Sequence, residues 1–184
     1  KVLRSPHAHA IIKGIDTRKA EALPGVTAVM TSKDFPIINS ATMDLTEGGA
    51  RLMAEHVMAA TKALYKGHAV AAVSATSPHI AEQALGLIEV DYEVLKPILS
   101  IAEAMKENAP VIHDDLSTHF THDRFLKGDD TGVKGNVASH IQHKLGDLEK
   151  GFNEADVIVE REFTTQTVHQ GYIEPHASTA TWAG

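Results

Sequence analysis

With 184 residues, 43% of them hydrophobic, the chain is long enough to bury one or two packed cores, and it reads as a soluble globular protein. A net charge of -7 without a concentrated Lys/Arg stripe argues against nucleic acid or an anionic membrane surface as partner. No apolar run approaches a membrane span and no export signal opens the chain. The lack of cysteine excludes disulfides, thiolate metal sites and a cysteine nucleophile, which is compatible with a cytoplasmic protein.

The chain opens at Lys1 inside a strand-like stretch without a Met and stops at Gly184 just after another, the pattern of a piece of a longer protein. After Arg4-Ser5-Pro6-His7-Ala8-His9, the apolar run Ala10 to Ile12 predicts a strand ending at Gly14. Asp16 or Thr17 can cap a short helix through Leu23, which Pro24-Gly25 ends. Val26, Ala28 and Met30 alternate with Thr27, Val29 and Thr31 as a second strand running toward Lys33, and Asp34-Phe35-Pro36 turns the chain out. Ile37 to Gly49 has the polarity of a surface loop, and Arg51 to Ala60 fits a helical turn or two with Leu52, His56 and Ala59 on one face.

Tyr65 to Leu95 carries the strongest periodicity of the chain. His68 to Ala75 predicts a mostly buried strand, opened by Gly67 and closed by Thr76, Ser77 and Pro78. Ser77 caps a helix with Pro78 in its first turn, where a missing N–H costs nothing. Ile80, Ala84, Leu87 and Ile88 share one face of it, with Glu82 and Gln83 turned away. Then Ile88, Val90, Tyr92 and Val94 alternate with Glu89, Asp91 and Glu93, a strand with one wet face. Two strands joined by such a helix are most simply neighbours in one sheet.

Pro97 ends that strand, and Ser100 caps a helix predicted over Ile101 to Glu107 with Ala102, Ala104 and Met105 packed inward. Asn108-Ala109-Pro110 closes it, and Val111-Ile112-His113 is extended. Asp114 to Lys134 is charged, poor in aliphatic residues and punctuated by Gly128 and Gly132, so a linker is expected there, between a domain at 1–113 and a second at 135–184. Beyond it, Ser139 to Leu145 predicts a strand, Asp147 caps a helical turn through Phe152 and Ala155, and Val157 to Phe163 alternates as a strand. Gln166 to Trp182 suggests another, interrupted at Glu174-Pro175.

No complete catalytic set stands out. His7 with His9, His119 with His122, or His140 with His143 could chelate in pairs, yet zinc needs three or four convergent ligands and no His-Glu-x-x-His occurs. Asp114-Asp115 and Asp129-Asp130 are in loops, where adjacent acids more often serve turns than proton transfer. Neither Ser5 nor Ser178 lies in a nucleophile elbow, and the glycines at 128, 132 and 135 match no phosphate-binding loop.

Ordered matches carry a resemblance. Arg4-Ser5-Pro6-His7-Ala8-His9-Ala10, Ile15-Asp16-Thr17, Leu23-Pro24-Gly25-Val26, Asp34-Phe35-Pro36, Tyr65-Lys66-Gly67-His68-Ala69-Val70-Ala71-Ala72-Val73, Ala81-Glu82-Gln83-Ala84 and Ile88-Glu89-Val90-Asp91-Tyr92-Glu93-Val94-Leu95 come in the order expected of one family. Gly135-Asn136-Val137, Gly146-Asp147, Phe152, Ala155-Asp156 and Ile173-Glu174-Pro175 continue it. Together they resemble the N-terminal part of the molybdopterin-binding large subunit of the xanthine dehydrogenase, aldehyde oxidase and carbon monoxide dehydrogenase family.

The resemblance implies an α+β fold, an α/β hammerhead domain with a mixed sheet followed by the start of a molybdopterin-binding domain. It implies a molybdenum hydroxylase that uses water to oxidise a small molecule (an aldehyde, N-heterocycle, aromatic or carbon monoxide), with electrons passing to an iron–sulfur subunit and an FAD subunit in an oligomer of heterotrimers. It further implies that the loops holding the pterin and the glutamate base lie downstream of Trp182-Ala183-Gly184, so that this portion scaffolds, holds no catalytic or metal-ligating residue and binds no cofactor alone. Gln170 and Glu174 match a segment just upstream of the cofactor and would support it from behind, although hydrogen bonding at a strand end is the plainer role. Where many members have Gln after the glycine of Tyr-x-Gly, this chain has His68, and Glu174-Pro175-His176-Ala177 leans toward the carbon monoxide dehydrogenase-like and aromatic-substrate branches. The competing reading is a stand-alone binding or assembly module without redox chemistry.

Overall fold

The strand β5 (Ala69–Ala75) organises the first unit because both of its edges are paired and four of its first five residues are buried. It is built from Ala and Val, small enough to let layers approach on either side. In the computed structural model, which describes residues 1–35, 54–114, 116–122, 128–175 and 177–181, β5 lies between β1 (Val2–Arg4) and β3 (Val26–Thr31), antiparallel to both. A second sheet places β2 (Ala10–Asp16) between β4 (Lys62–Ala63) and β6 (Glu89–Val94), again all antiparallel. The expected pairing of the strands on either side of the central helix therefore does not form. With β1 and β3 occupying its two edges, β5 has no ladder left to offer β6, which pairs with β2.

Helix α2 (Pro78–Leu85) joins β5 to β6 and is set by its cap, the Ser77 Oγ accepting the Ile80 N–H at 3.2 Å with Pro78 in the first turn. Ala81 and Ala84 are buried, and with Ala20, Ala71, Val73 and Ile88 they form the core. Glu82 and Gln83 face outward as the spacing requires. Helix α1 (Arg18–Glu21) brings Ala20 to this core, and its first turn is capped by the Asp16 carboxylate, which accepts the Arg18 N–H. The Arg18 guanidinium also hydrogen-bonds Asp16, lowering its pKa to about 2. Gly25 turns the chain from α1 into β3 at a φ of 93°, with the space for a Cβ already filled by the Ile80 and Thr76 side chains.

Helix α3 (Ile101–Ala104) begins where Ser100 caps it but is shorter than its predicted span. Ala102 is exposed and Met105 is 62% exposed, so of the three residues expected to pack inward only Ala104 is half-buried. Residues 54–57 are helical, within the stretch expected to form a turn or two. Leu52 of that expected face, and the loop expected over Ile37 to Gly49, lie outside the described residues.

The expected linker carries structure. Ser117–Thr121 forms β7 and Asp129–Lys134 forms β8, and with β9 (Ser139–Ile141) they make a third sheet in which β7 is antiparallel to β8 and parallel to β9. Few aliphatic side chains are available here, and hydroxyls substitute: the Thr118 Oγ1 donates to the Val137 oxygen and the Thr131 Oγ1 to the Thr118 oxygen, both at 2.7 Å. Mixed sheets and short helices together give the α+β class.

Residues Lys144–Gly184 form a separate unit. It holds α4 (Leu148–Glu154), capped by the Asp147 carboxylate accepting the Lys150 N–H at 3.0 Å, as its sequence predicts. The strands expected at Val157 to Phe163 and Gln166 to Trp182 are not formed among the described residues, and Trp182 lies outside them. Side-chain alternation is present, but a strand also needs a hydrogen-bonding neighbour, and Val157, Val159, Phe163 and Ile173 are exposed.

Candidate functional site

The histidine-bearing segments at the start of the chain and at Tyr65 to His68 are laced together. The Ser5 N–H donates to the His68 oxygen at 2.8 Å, the Gly67 N–H returns to the Ser5 oxygen at 2.9 Å, and the Arg4 guanidinium donates to the Gly67 oxygen at 2.8 Å. Ser5 is buried, and its hydroxyl both donates to the His7 oxygen and accepts the His7 N–H at 3.1 Å. That hydroxyl stabilises a turn, its proton directed at a backbone oxygen. The edge-on ring of His7 meets Tyr92 with centroids 5.0 Å apart, and burial pushes the Tyr92 phenol up.

His68 is completely buried. Its Nδ1 accepts the Leu64 N–H at 3.2 Å and its Nε2–H donates to the Glu55 oxygen at 2.6 Å, which fixes one neutral tautomer. The Tyr65 ring stacks on it with centroids 4.4 Å apart and sends its hydroxyl to the His56 oxygen. Burial holds the His68 pKa below the ordinary histidine value, and the same cause lowers His113, whose ring sits 5.8 Å from that of His56. Both nitrogens of His68 being committed to backbone, it is a clasp between residues 54–57 and the turn before β5, with no lone pair for a metal.

Several of the other paired histidines have backbone or aromatic partners of their own. The His9 Nδ1–H donates to the Lys96 oxygen at 3.1 Å, tying the start of β2 to the end of β6. His122 and His140 each meet Phe120 edge-on, and the His122 Nδ1–H donates to the Gln142 oxygen. Among the described residues no group of three or more His, Asp or Glu side chains is placed to hold a metal. Asp129 and Asp130 lie in β8 and not in a loop as expected; the Asp130 carboxylate accepts the Gly132 N–H at 2.8 Å, and hydrogen bonds with Ser117 and Gly132 lower its pKa, so it serves the local backbone. Asp114 pairs with Lys62 at 2.6 Å, while Asp115 lies outside the described residues.

A pterin phosphate needs converging donors, and the N-termini of α2 and α4 already have theirs capped. Ser77 closes the N-terminus of α2, and the Asp147 carboxylate closes that of α4 and would repel an anion. Gln170 and Glu174 are exposed, outside any helix or strand, on either side of Gly171, whose N–H donates to the His169 Nδ1. Neither of these two helix N-termini is open to a pterin phosphate.

Comparison with known proteins gives the chain its relatives. Residues 1–96 match the family model described as the aldehyde oxidase and xanthine dehydrogenase a/b hammerhead domain, and residues 130–184 match the molybdopterin cofactor-binding domain. An Escherichia coli protein described as a probable hypoxanthine oxidase is 40% identical over 96% of this chain and 20% of its own length. The carbon monoxide dehydrogenase large chain of Afipia carboxidovorans is 35% identical over 94% of this chain and 20% of its own. The solved structure of reconstituted CO dehydrogenase from Oligotropha carboxidovorans superimposes with a TM-score of 0.58 at 31% identity, covering 85% of this chain and 18% of that one. The chain thus spans about one fifth of the length of these relatives.

Proposed function

Since the chain belongs to the aldehyde oxidase and xanthine dehydrogenase family, we propose that it is the N-terminal portion of a molybdenum hydroxylase large subunit and that it works there as scaffold. The observation that carries this reading is the tandem order of the two family regions, hammerhead at 1–96 and cofactor-binding domain from 130. We divide the chain into domains at 1–113 and 135–184, joined by a stretch that β7 and β8 pin into a sheet. Molybdopterin belongs to the complete subunit, where it supplies the two-electron oxidation of a small molecule with water as oxygen source. Within this chain the histidine clasps, the Ser5 turn and the α2 core hold the hammerhead rigid, and Gln170 and Glu174 back the cofactor-binding residues. An iron–sulfur subunit and a flavin subunit carry the electrons away, in a cytoplasmic oligomer of heterotrimers.

The exposed apolar residues of the second unit, among them Phe163 at 89% and Ile173 at 99% exposure, support a role inside a larger assembly over a free-standing module. Elemental analysis of the complete subunit, co-expressed with its partner subunits, tests the reading. Molybdenum near stoichiometry and dye reduction with an aldehyde, an N-heterocycle or carbon monoxide are expected, and the 184-residue chain alone is expected to hold none. A complete complex that folds without molybdenum would overturn it.

A further inference from the structure

Asn136 makes three hydrogen bonds with its side chain, all to backbone of the connector that follows β6. Its Oδ1 accepts the Ile112 N–H at 3.0 Å, and its Nδ2 donates to the Pro110 oxygen at 3.0 Å and the Ala104 oxygen at 3.3 Å. Both amide hydrogens and one carbonyl lone pair are thus engaged with three points on a stretch 24 to 32 residues earlier. That stretch needs such an anchor, because α3 is a single turn and Met105 points into solvent. Its far end is tied back to the first unit's second sheet by the Lys62–Asp114 ion pair at 2.6 Å. The neighbours of Asn136 are held as well: the Val137 oxygen receives the Thr118 hydroxyl and the Ala138 oxygen receives the His119 N–H. Residue 136 falls inside the cofactor-domain match and residues 104–112 beyond the hammerhead match.

We propose that Asn136 is a clasp that fixes where the cofactor-domain chain leaves the hammerhead domain, by locking the 104–112 connector to the chain entering β9. The donor and acceptor requirements are specific. Aspartate has the same shape but turns the two donors into acceptors that face the Pro110 and Ala104 carbonyls, and only its protonated form regains a donor.

Amide hydrogen exchange on the full chain tests this with Asn136→Ala and Asn136→Asp. The Ile112 amide should exchange about tenfold faster in Asn136→Ala, the loss of roughly one hydrogen bond of protection, while the β5 amides keep wild-type rates. In Asn136→Asp the Ile112 N–H keeps an acceptor while the Pro110 and Ala104 oxygens lose their donor and face a negative charge, so at neutral pH the Ile112 amide should exchange faster than wild type but less fast than in Asn136→Ala, and recover toward wild type as the carboxyl protonates, after each is referred to wild type at the same pH. Unchanged Ile112 exchange in both variants would overturn the proposal. So would acceleration that is equal in β5 and at Ile112, which would make Asn136 a support of the whole fold, and so would an Asn136→Asp variant insensitive to pH.

Discussion

The Nε2–H of His68 donates to the backbone oxygen of Glu55 at 2.6 Å while its Nδ1 accepts from Leu64, and a glutamine side chain could satisfy the same donor–acceptor pair. This gives a physical reason for histidine at a position where resemblance to the family leads one to expect glutamine. His68→Gln should therefore stay within about 1.5 kcal/mol of wild type, whereas His68→Leu should lose about 3 kcal/mol by removing both hydrogen bonds that the buried ring makes, from the Leu64 N–H and to the Glu55 oxygen. Urea titrations compare them, and equal losses would mean the ring acts by volume alone.

Acid should weaken the fold through the same residue. Burial holds the folded pKa values of His68 and His113 below the ordinary value of 6.5. The unfolded chain therefore binds more protons between the folded and unfolded values, and stability rises with pH across that window. It is complete above about pH 6.5 and falls as pH drops toward the folded values. Denaturation midpoints measured from pH 8 to pH 5 should decline, and decline less in His68→Gln. A midpoint that rises on acidification would contradict the neutral tautomer.

The α2 cap makes a sharper local test. Ser77→Ala removes the acceptor for the Ile80 N–H and should cost about 1 kcal/mol. Ala84→Pro, in the last turn and fully buried, should cost roughly 3 kcal/mol or more. Similar small losses for both would show that the helix contributes little to the core.

What sequence made legible was whatever is settled locally. Ser77-Pro78, Ser100 and Asp147 announce helix starts by side chains bonded three residues on, and the alternation from Ile88 to Val94 identifies β6 because one face is wet. Strand partners were not legible, since nothing in β5 itself says that β1 and β3 will fill its edges before β6 arrives. Asp114 to Lys134 is poor in aliphatic residues, and its strands are supported by Thr118 and Thr131 hydroxyls whose partners lie 19 and 13 residues away. The Asn136 clasp was invisible for the same reason, its partners being backbone atoms that any residues could supply.

The third sheet offers a comparison of two glycines. Gly25 and Gly128 both have positive φ, at 93° and 78°, so an alanine at either carries the left-handed penalty of about 1–2 kcal/mol. They differ in what a Cβ would meet. At Gly25 it would approach the Ile80 Cδ1 at 2.7 Å and the Thr76 Oγ1 at 2.9 Å, side-chain atoms that can turn aside. At Gly128 it would sit 2.3 Å from the Phe120 backbone oxygen, in the strand that β8 pairs with, and that oxygen cannot move without breaking the β7–β8 ladder at Phe120 and Asp129. Gly128→Ala should therefore cost more than Gly25→Ala and should act locally. Amide exchange in β7 should accelerate while Val70 and Val73 of β5 stay protected, because the six core residues around β5 and α2 include none from the third sheet. Gly25→Ala should do the reverse, loosening the contact of Ile80 with the turn into β3. If Gly128→Ala left β7 exchange at the wild-type rate, the close packing of β8 against β7 would be wrong, and the stretch from Asp114 to Lys134 would behave as the open linker its composition suggests.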